Sequence, residues 1–166
     1  MSSMLDDIVL LNQSAKLTGD YKLIEFMPPL VKTLTPRGTD AVFFQHIHKF
    51  ETVLAGYSQI GHAYMAVYKG QLICIFGCVP LWQGVAECWL ITDETLPNHA
   101  RPFHRVSKFL LDRFMAELNL VRLQITVHSE NVLAIKWAKK LYFKEEGLLR
   151  NYGPDERDFY MFARIE

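Results

Sequence analysis

The run 72-LICIFGCVPL-81 constrains this chain more than any other. A strand that alternates apolar and polar residues can face water on one side. A strand apolar at almost every position must be covered on both. Two hairpin signals frame this run. Lys69-Gly70 separates residues 62–68 from 71–81, and Trp82-Gln83-Gly84 leads into residues 85–92. The pattern implies three antiparallel strands with helices on both faces.

The flanking segments supply those helices. Residues 4–16 form an amphipathic helix with Met4, Leu5, Ile8, Val9 and Leu11 on one side and Asp6 and Asp7 at its start. Residues 21–27 read as a first strand that Pro28-Pro29 ends. Thr39 or Asp40 caps a helix to about Tyr57, along which Phe43, Ile47, Phe50, Leu54 and Tyr57 step by three and four. A helix over 102–118 starts on Pro102, a strand comes next at 122–128, and a helix at 131–140. Strands 143–151 and 158–165 close a hairpin through residues 152–155. The fold class is α/β (α+β): a single domain over 21–166 with a mixed, mostly antiparallel twisted sheet, preceded by a helical extension over 1–20. Strand 85–92, the helix and strand 122–128 make a right-handed parallel crossover. The crevice beyond the carboxyl ends of those two strands is the expected ligand site.

Composition excludes several classes. Eighteen basic and eighteen acidic residues give no net charge, so no nucleic-acid partner is expected. Cys74, Cys78 and Cys88 lie in apolar runs and read as reduced core thiols, with disulfide or metal chemistry as the alternative. His46 and His48 are two apart, which points them in different directions on a helix, so no metal site is expected. Asp6 and Asp7 stand where a signal peptide would be basic, and the apolar stretch there is too short to span a bilayer. A cytoplasmic protein with no membrane partner is the expectation.

The C-terminal third carries a more specific pattern: Asn131, Ala134, Trp137, Leu141, Phe143, Glu146, Gly147, then Asn151-Tyr152-Gly153 and the last strand 158-DFYMFARIE-166. Together with the element order, this resembles the GCN5-related N-acetyltransferase (GNAT) superfamily over roughly residues 21–166. The resemblance implies an N-acetyltransferase that moves an acetyl group from acetyl-CoA to an amine, on a small molecule or a protein, by direct attack. It implies that backbone groups at Leu90, Ile91 and Thr92 hold the pantetheine arm, that Asn131 belongs to the cofactor-binding set, and that the pyrophosphate sits at the start of the next helix. It also implies a base, for which Glu87 on strand 85–92 is the candidate unless it is an edge-exposed or salt-bridged glutamate, with His128 as a second proton-transfer group unless it is a surface histidine before the cap. Acceptor pockets in such folds come from the early helices and final hairpin, here roughly 28–57 and 148–158.

Three positions depart from the family pattern. Its phosphate loop reads Arg/Gln-x-x-Gly-x-Gly/Ala, whereas Arg101-Pro102-Phe103-His104-Arg105-Val106 keeps only the leading arginine. Glycines there let backbone N–H groups approach phosphates. Arg101, His104 and Arg105, with Lys108, are the candidate side-chain substitute; a solvated basic face is the other reading. The tyrosine that often serves as general acid is replaced by Ala138, and Tyr142 is its candidate stand-in unless it packs on the hairpin instead. The loop 93–100 is long and polar. These departures carry the alternative of a catalytically silent GNAT-fold binding or virion protein, and the chain resembles phage-encoded GNAT-like proteins in its missing glycines and its Cys88-Trp89 pair. The N-terminal helix offers a surface on which a second copy could pair as a homodimer.

Overall fold

The computed structural model describes residues 3–166; the first two residues of the expected 1–20 extension lie outside the described residues. Among those described, seven strands form one sheet: β1 (Tyr21–Glu25), β2 (His62–Tyr68), β3 (Gln71–Trp82), β4 (Val85–Thr92), β5 (Arg122–His128), β6 (Lys144–Leu149) and β7 (Phe159–Ile165), in the order β1-β2-β3-β4-β5-β7-β6. In this sheet only β4 and β5 pair in parallel. The fold class is as the sequence indicates. Lys69 and Gly70 both take positive φ (50° and 77°), the type I′ geometry whose twist matches a tight hairpin.

The helices that cover the sheet are α1 (Ile8–Ser14), α2 (Ala41–His46), α3 (Phe50–Ile60), α4 (Ala100–Glu117) and α5 (Val132–Lys140). On one face, Leu11 of α1, Val106, Leu110 and Phe114 of α4 and Ala138 of α5 bury against Leu23, Tyr64, Cys78, Ala86, Leu123 and Phe162. On the other, Phe50 and Leu54 of α3, with Val31 and Leu34, bury against Met65, Val67, Leu72, Ile75 and Ile91. This double cover explains why β3 is apolar at nearly every position.

The N-terminal segment belongs to the first core. Leu5 and Leu11 are buried there, and Tyr64 Oη donates to the Leu5 carbonyl at 2.6 Å. Asn12 Nδ2 donates to the Leu23 carbonyl and its Oδ1 accepts the Leu23 N–H, both at 2.8 Å, so one amide side chain ties α1 to the edge strand. Asp7 caps α1 by accepting from the Val9 and Leu10 N–H groups, and it separates α1 from a short 3-10 turn over Met4–Asp6. The continuous helix expected over 4–16 is therefore two pieces.

A second expected helix is also divided. Lys49 takes φ 51° and ends the run between α2 and α3. The gain is aromatic packing. In one straight helix, Phe43 and Phe50 would sit about 10 Å apart along the axis. Here their rings stack with centroids 5.3 Å apart, and Phe44 meets Phe50 edge-on at 5.1 Å. Asp40 precedes α2 but does not cap it; its carboxylate is used elsewhere.

The third difference lies before α4. The sequence suggests a helix from Pro102, but a 3-10 turn over Leu96–His99 feeds directly into a helix that begins at Ala100. Buried Asp93 organises the turn. Its carboxylate accepts the Thr35 N–H at 2.7 Å, the Thr95 N–H at 3.0 Å and the Thr95 hydroxyl at 2.7 Å.

Candidate active site

The site begins where the sheet comes apart. β4 and β5 pair only at Val85↔Arg122, Ala86↔Leu123 and Glu87↔Gln124, then diverge. A crevice of about 710 Å³ opens through the V, lined by residues of both cores. That is within the usual range for a small-molecule site. Strand alternation separates its walls: Cys88 packs with the α4/α5 core, Trp89 and Ile91 with the α3 core.

Glu87 occupies the last paired position on β4 and lines the crevice. Gln124 Nε2 donates to Glu87 Oε2 at 2.7 Å, while Gln124 Oε1 accepts from Arg122 Nε at 3.0 Å. The arginine thus fixes which end of the amide meets the carboxylate. Arg122 in turn forks onto Glu146, at 3.0 and 2.6 Å. The shared hydrogen bonds raise the Arg122 guanidinium and lower the Glu146 carboxyl relative to their ordinary values. Glu87 Oε1 accepts no hydrogen bond among the described residues.

Tyr152, from the loop between β6 and β7, completes this rim. The residue is 51% exposed, but partial burial of its hydroxyl pushes it up from the usual phenol value; the Glu87 carboxylate adds to the rise, a hydrogen bond with Thr126 opposes it, and Tyr57 adds to it. A phenol held up in this way keeps its proton at neutral pH. Cys88 is not a competing nucleophile: burial first, and contact with Cys78 second, raise its thiol well above the usual value.

The open end of the V is arranged differently. Asp40 Oδ2 accepts both the Thr92 N–H at 2.7 Å and the Thr92 hydroxyl at 2.6 Å. Its neighbour Thr39 accepts from Asn131 Nδ2 at 3.1 Å. Two adjacent residues therefore bridge the tip of β4 to Asn131, just beyond β5. Burial raises the Asp40 carboxyl despite the opposing hydrogen bonds from Thr92 and the pull of Arg37. The strap extends backwards: Arg37 N–H donates to the Thr92 carbonyl and Glu94 N–H to the Thr35 carbonyl, both at 2.9 Å.

These bonds decide how an extended ligand arm can lie on β4. Asp93 N–H donates to the Ile73 carbonyl on the β3 side. Backbone groups alternate along a strand, so Thr92 and Leu90 turn theirs into the V while Ile91 turns its own to β3. Ile91 is thus not a backbone ligand, and its side chain is buried. At Thr92 both backbone groups are engaged by the strap. Leu90 alone of the three suits an incoming arm.

The remaining sequence candidates are dispersed. Asn131 caps α5 by accepting the Ala134 N–H at 3.1 Å. His128 is buried; its Nδ1 accepts the Glu130 N–H at 3.1 Å, which assigns the proton to Nε2, facing Asp155 Oδ2 at 3.0 Å. Both ring nitrogens are thus engaged within the chain, at the wall of the crevice. Burial acts to raise the Asp155 carboxyl, but the hydrogen bonds from His128 and the Arg157 backbone outweigh it and hold it below the usual value.

Tyr142 does not face the crevice. It takes φ 69° just past α5, is exposed, and lies under the Lys108 ammonium. Arg101, His104 and Arg105 lie within the first turns of α4 rather than in a loop, and they do not converge. Arg101 and Arg105, one turn apart, line a separate pocket of about 380 Å³ with Thr18 and Tyr21, and Arg105 donates to the Lys16 carbonyl at 3.2 Å. His104 lies about 100° further round the helix and accepts from Trp137 Nε1 at 3.2 Å.

No protein-family model and no curated protein sequence matches this chain. Solved structures do. Ard1 from Thermoplasma volcanium is similar with a TM-score of 0.68 at 16% identity, over 89% of this chain and 98% of that one. RimL, a ribosomal L7/L12 alpha-N-protein acetyltransferase in complex with coenzyme A, is similar at 0.67 and 13%, over 89% and 95%. A probable GNAT-family acetyltransferase from Chromobacterium violaceum is similar at 0.66 and 20%, over 90% and 89%. The fold is the GNAT fold. In this chain the parallel pair β4 and β5 splays apart after Glu87. Neither the nearness of Tyr152 to Glu87 nor the Thr39–Asp40 bridge is legible in the sequence pattern.

No helix among the described residues is long and apolar enough to cross a membrane, and no cluster of three metal-ligating side chains occurs among them.

Proposed function

We propose that the protein is an N-acetyltransferase that moves an acetyl group from acetyl-CoA to a primary amine by direct attack. The observation that carries this reading is Glu87. It is a carboxylate at the point where two parallel strands part, with one oxygen held by Gln124 and the other left to accept a proton. Bound acetyl-CoA supplies the activated acetyl carbon. Leu90 offers its N–H and C=O to the cofactor arm. Glu87 Oε1 takes a proton from the attacking nitrogen, with Gln124 and Arg122 holding the carboxylate in one orientation. As the nitrogen bonds to the acetyl carbon the C–S bond breaks, and Tyr152, beside Glu87, gives its proton to the leaving thiolate and regains one from water.

Acetyl-CoA titration against thermal unfolding tests the reading. A ligand at about 100 times its dissociation constant stabilises by roughly 2.7 kcal/mol. No shift at millimolar acetyl-CoA, with no free thiol released in the presence of amines, overturns it.

A further inference from the structure

The surroundings of Glu87 also select among amines. Beside it stand Tyr57, Trp89 and Tyr152, with the Tyr57 and Trp89 rings 5.8 Å apart. Trp89 packs closely on β3 over Gly77: a Cβ added there would lie 2.7 Å from its ring. Further out the wall is apolar, with Phe43 and Ile47. Charge is sparse and already committed. Of the basic groups along the crevice, Arg37 acts on Asp40 and His128 is paired with Asp155. His99 bonds the Tyr21 hydroxyl, and Lys22 lies on the outer strand β1. The one other crevice carboxylate among the described residues, Asp40, is bound to Thr92. The Glu87 compartment therefore holds one negative charge, several aromatic faces and no cation among the described residues.

Such a compartment attracts an ammonium through the carboxylate and the ring faces together. It offers a carboxylate on the ligand no cation, only the unpaired Trp89 Nε1 donor and the Tyr152 hydroxyl, and sets it beside the Glu87 negative charge. It also offers no second anion to a polyamine.

We propose that the acceptor is a primary amine on an apolar, otherwise uncharged body, held as its ammonium between Glu87 and the Tyr57–Trp89–Tyr152 wall. Free α-amino acids and polyamines are excluded. The proposal deepens the acetyl-transfer reading and rests on it for the chemistry after binding: Glu87 takes one proton from the ammonium to free the nitrogen lone pair, and the second, lost as the C–N bond forms, passes to water. The same ammonium chemistry occurs in small arylalkylamines and at the apolar N-terminus of a peptide.

Calorimetric titration of the full chain, paired with an acetyl-transfer assay, tests this. L-phenylalaninamide and L-phenylalanine differ only in the carboxylate. The amide and 2-phenylethylamine should bind, with phenylalanine and spermidine at least tenfold weaker. Glu87→Gln should lower the affinity for the amide at least tenfold while leaving the neutral 2-phenylethanol unchanged. Equal affinity for phenylalanine and its amide, preference for spermidine, or no amine binding at millimolar concentration overturns the proposal. A Phe-Ala-Ala amide at least tenfold tighter than phenylalaninamide supports it with a peptide source; equal or weaker binding supports it with a small-molecule source. Amine binding with no acetyl transfer removes the enzymatic reading and leaves the pocket assigned. Transfer that prefers spermidine or phenylalanine does the reverse.

Discussion

The rim and the open end of the V are built from the same two strands and use polar groups in opposite ways. At the rim, Glu87 is oriented from one side by Gln124 and keeps an oxygen in reserve, and Tyr152 keeps its proton. At the open end, Asp40, Thr39, Thr92, Asn131 and His128 are each committed to another group of the chain. Unspent hydrogen-bonding capacity beside a cavity marks a place prepared for a ligand. Spent capacity marks structure. The difference separates where this protein can do chemistry from where it holds itself together.

Substitutions at the two ends should therefore fail in different assays. The largest effect is expected for Glu87→Gln. Acetyl transfer should fall by about a hundredfold or more, the usual range for loss of a positioned base, while the acetyl-CoA-induced thermal shift stays intact. Full activity in this variant would remove Glu87 from the reaction. At the open end, Asp40→Ala leaves the Thr92 N–H and hydroxyl without their acceptor and should cost about 1–3 kcal/mol in denaturant unfolding. Its acetyl-CoA shift should exceed that of the parent, because the strap no longer competes for the Thr92 amide. An unchanged shift would show that the arm never reaches Thr92.

pH sharpens the contrast within the open end. The Asp40 carboxyl is raised from 3.8, so the folded state binds the proton more tightly than the unfolded chain does. Its stabilising contribution is complete below 3.8 and is lost as pH rises through the folded value. Asp155 is lowered, so its contribution is present above 3.8 and is lost as pH falls through its folded value. Unfolding measured across the acid range should lose the first dependence in Asp40→Asn and the second in Asp155→Asn. The same slope in parent and variants would break the assignment. The smallest effect belongs to Tyr142→Phe. An exposed ring away from the crevice should change stability by less than about 0.5 kcal/mol and leave activity untouched.

The features that the sequence disclosed divide along the same line. Strands, hairpins, the Asn131 cap and the opposite facing of Cys88 and Trp89 depend on neighbours a few residues apart, and local patterns carry them. The Asp40–Thr92 and Thr39–Asn131 bonds join residues 52 and 92 positions apart, which no local pattern encodes. Asp40 before an apolar helix looks like a cap, and a distant strand end outcompetes the helix for it. Pro102 looks like a first turn, yet Leu96-Pro97 begins the 3-10 segment that sets the start of α4. Arg101, His104 and Arg105 look like one cradle on a helical wheel. Trp137 and the Lys16 carbonyl draw them apart.

The three-position ladder between β4 and β5 also governs how the molecule yields. Strands β1–β4 form one antiparallel block and β5–β7–β6 another, and in each the ladders are long. The ladder joining the blocks is a seam, bridged at its free end by Thr39 and Asp40 and spanned by α4. Opening along the seam would break few backbone hydrogen bonds, so it lies at the low end of the molecule's opening energies. In native-state hydrogen exchange, amides at the ends of β4 and β5 should exchange before those shared by β2 and β3. The weakest line of the sheet would then coincide with the place where a ligand enters.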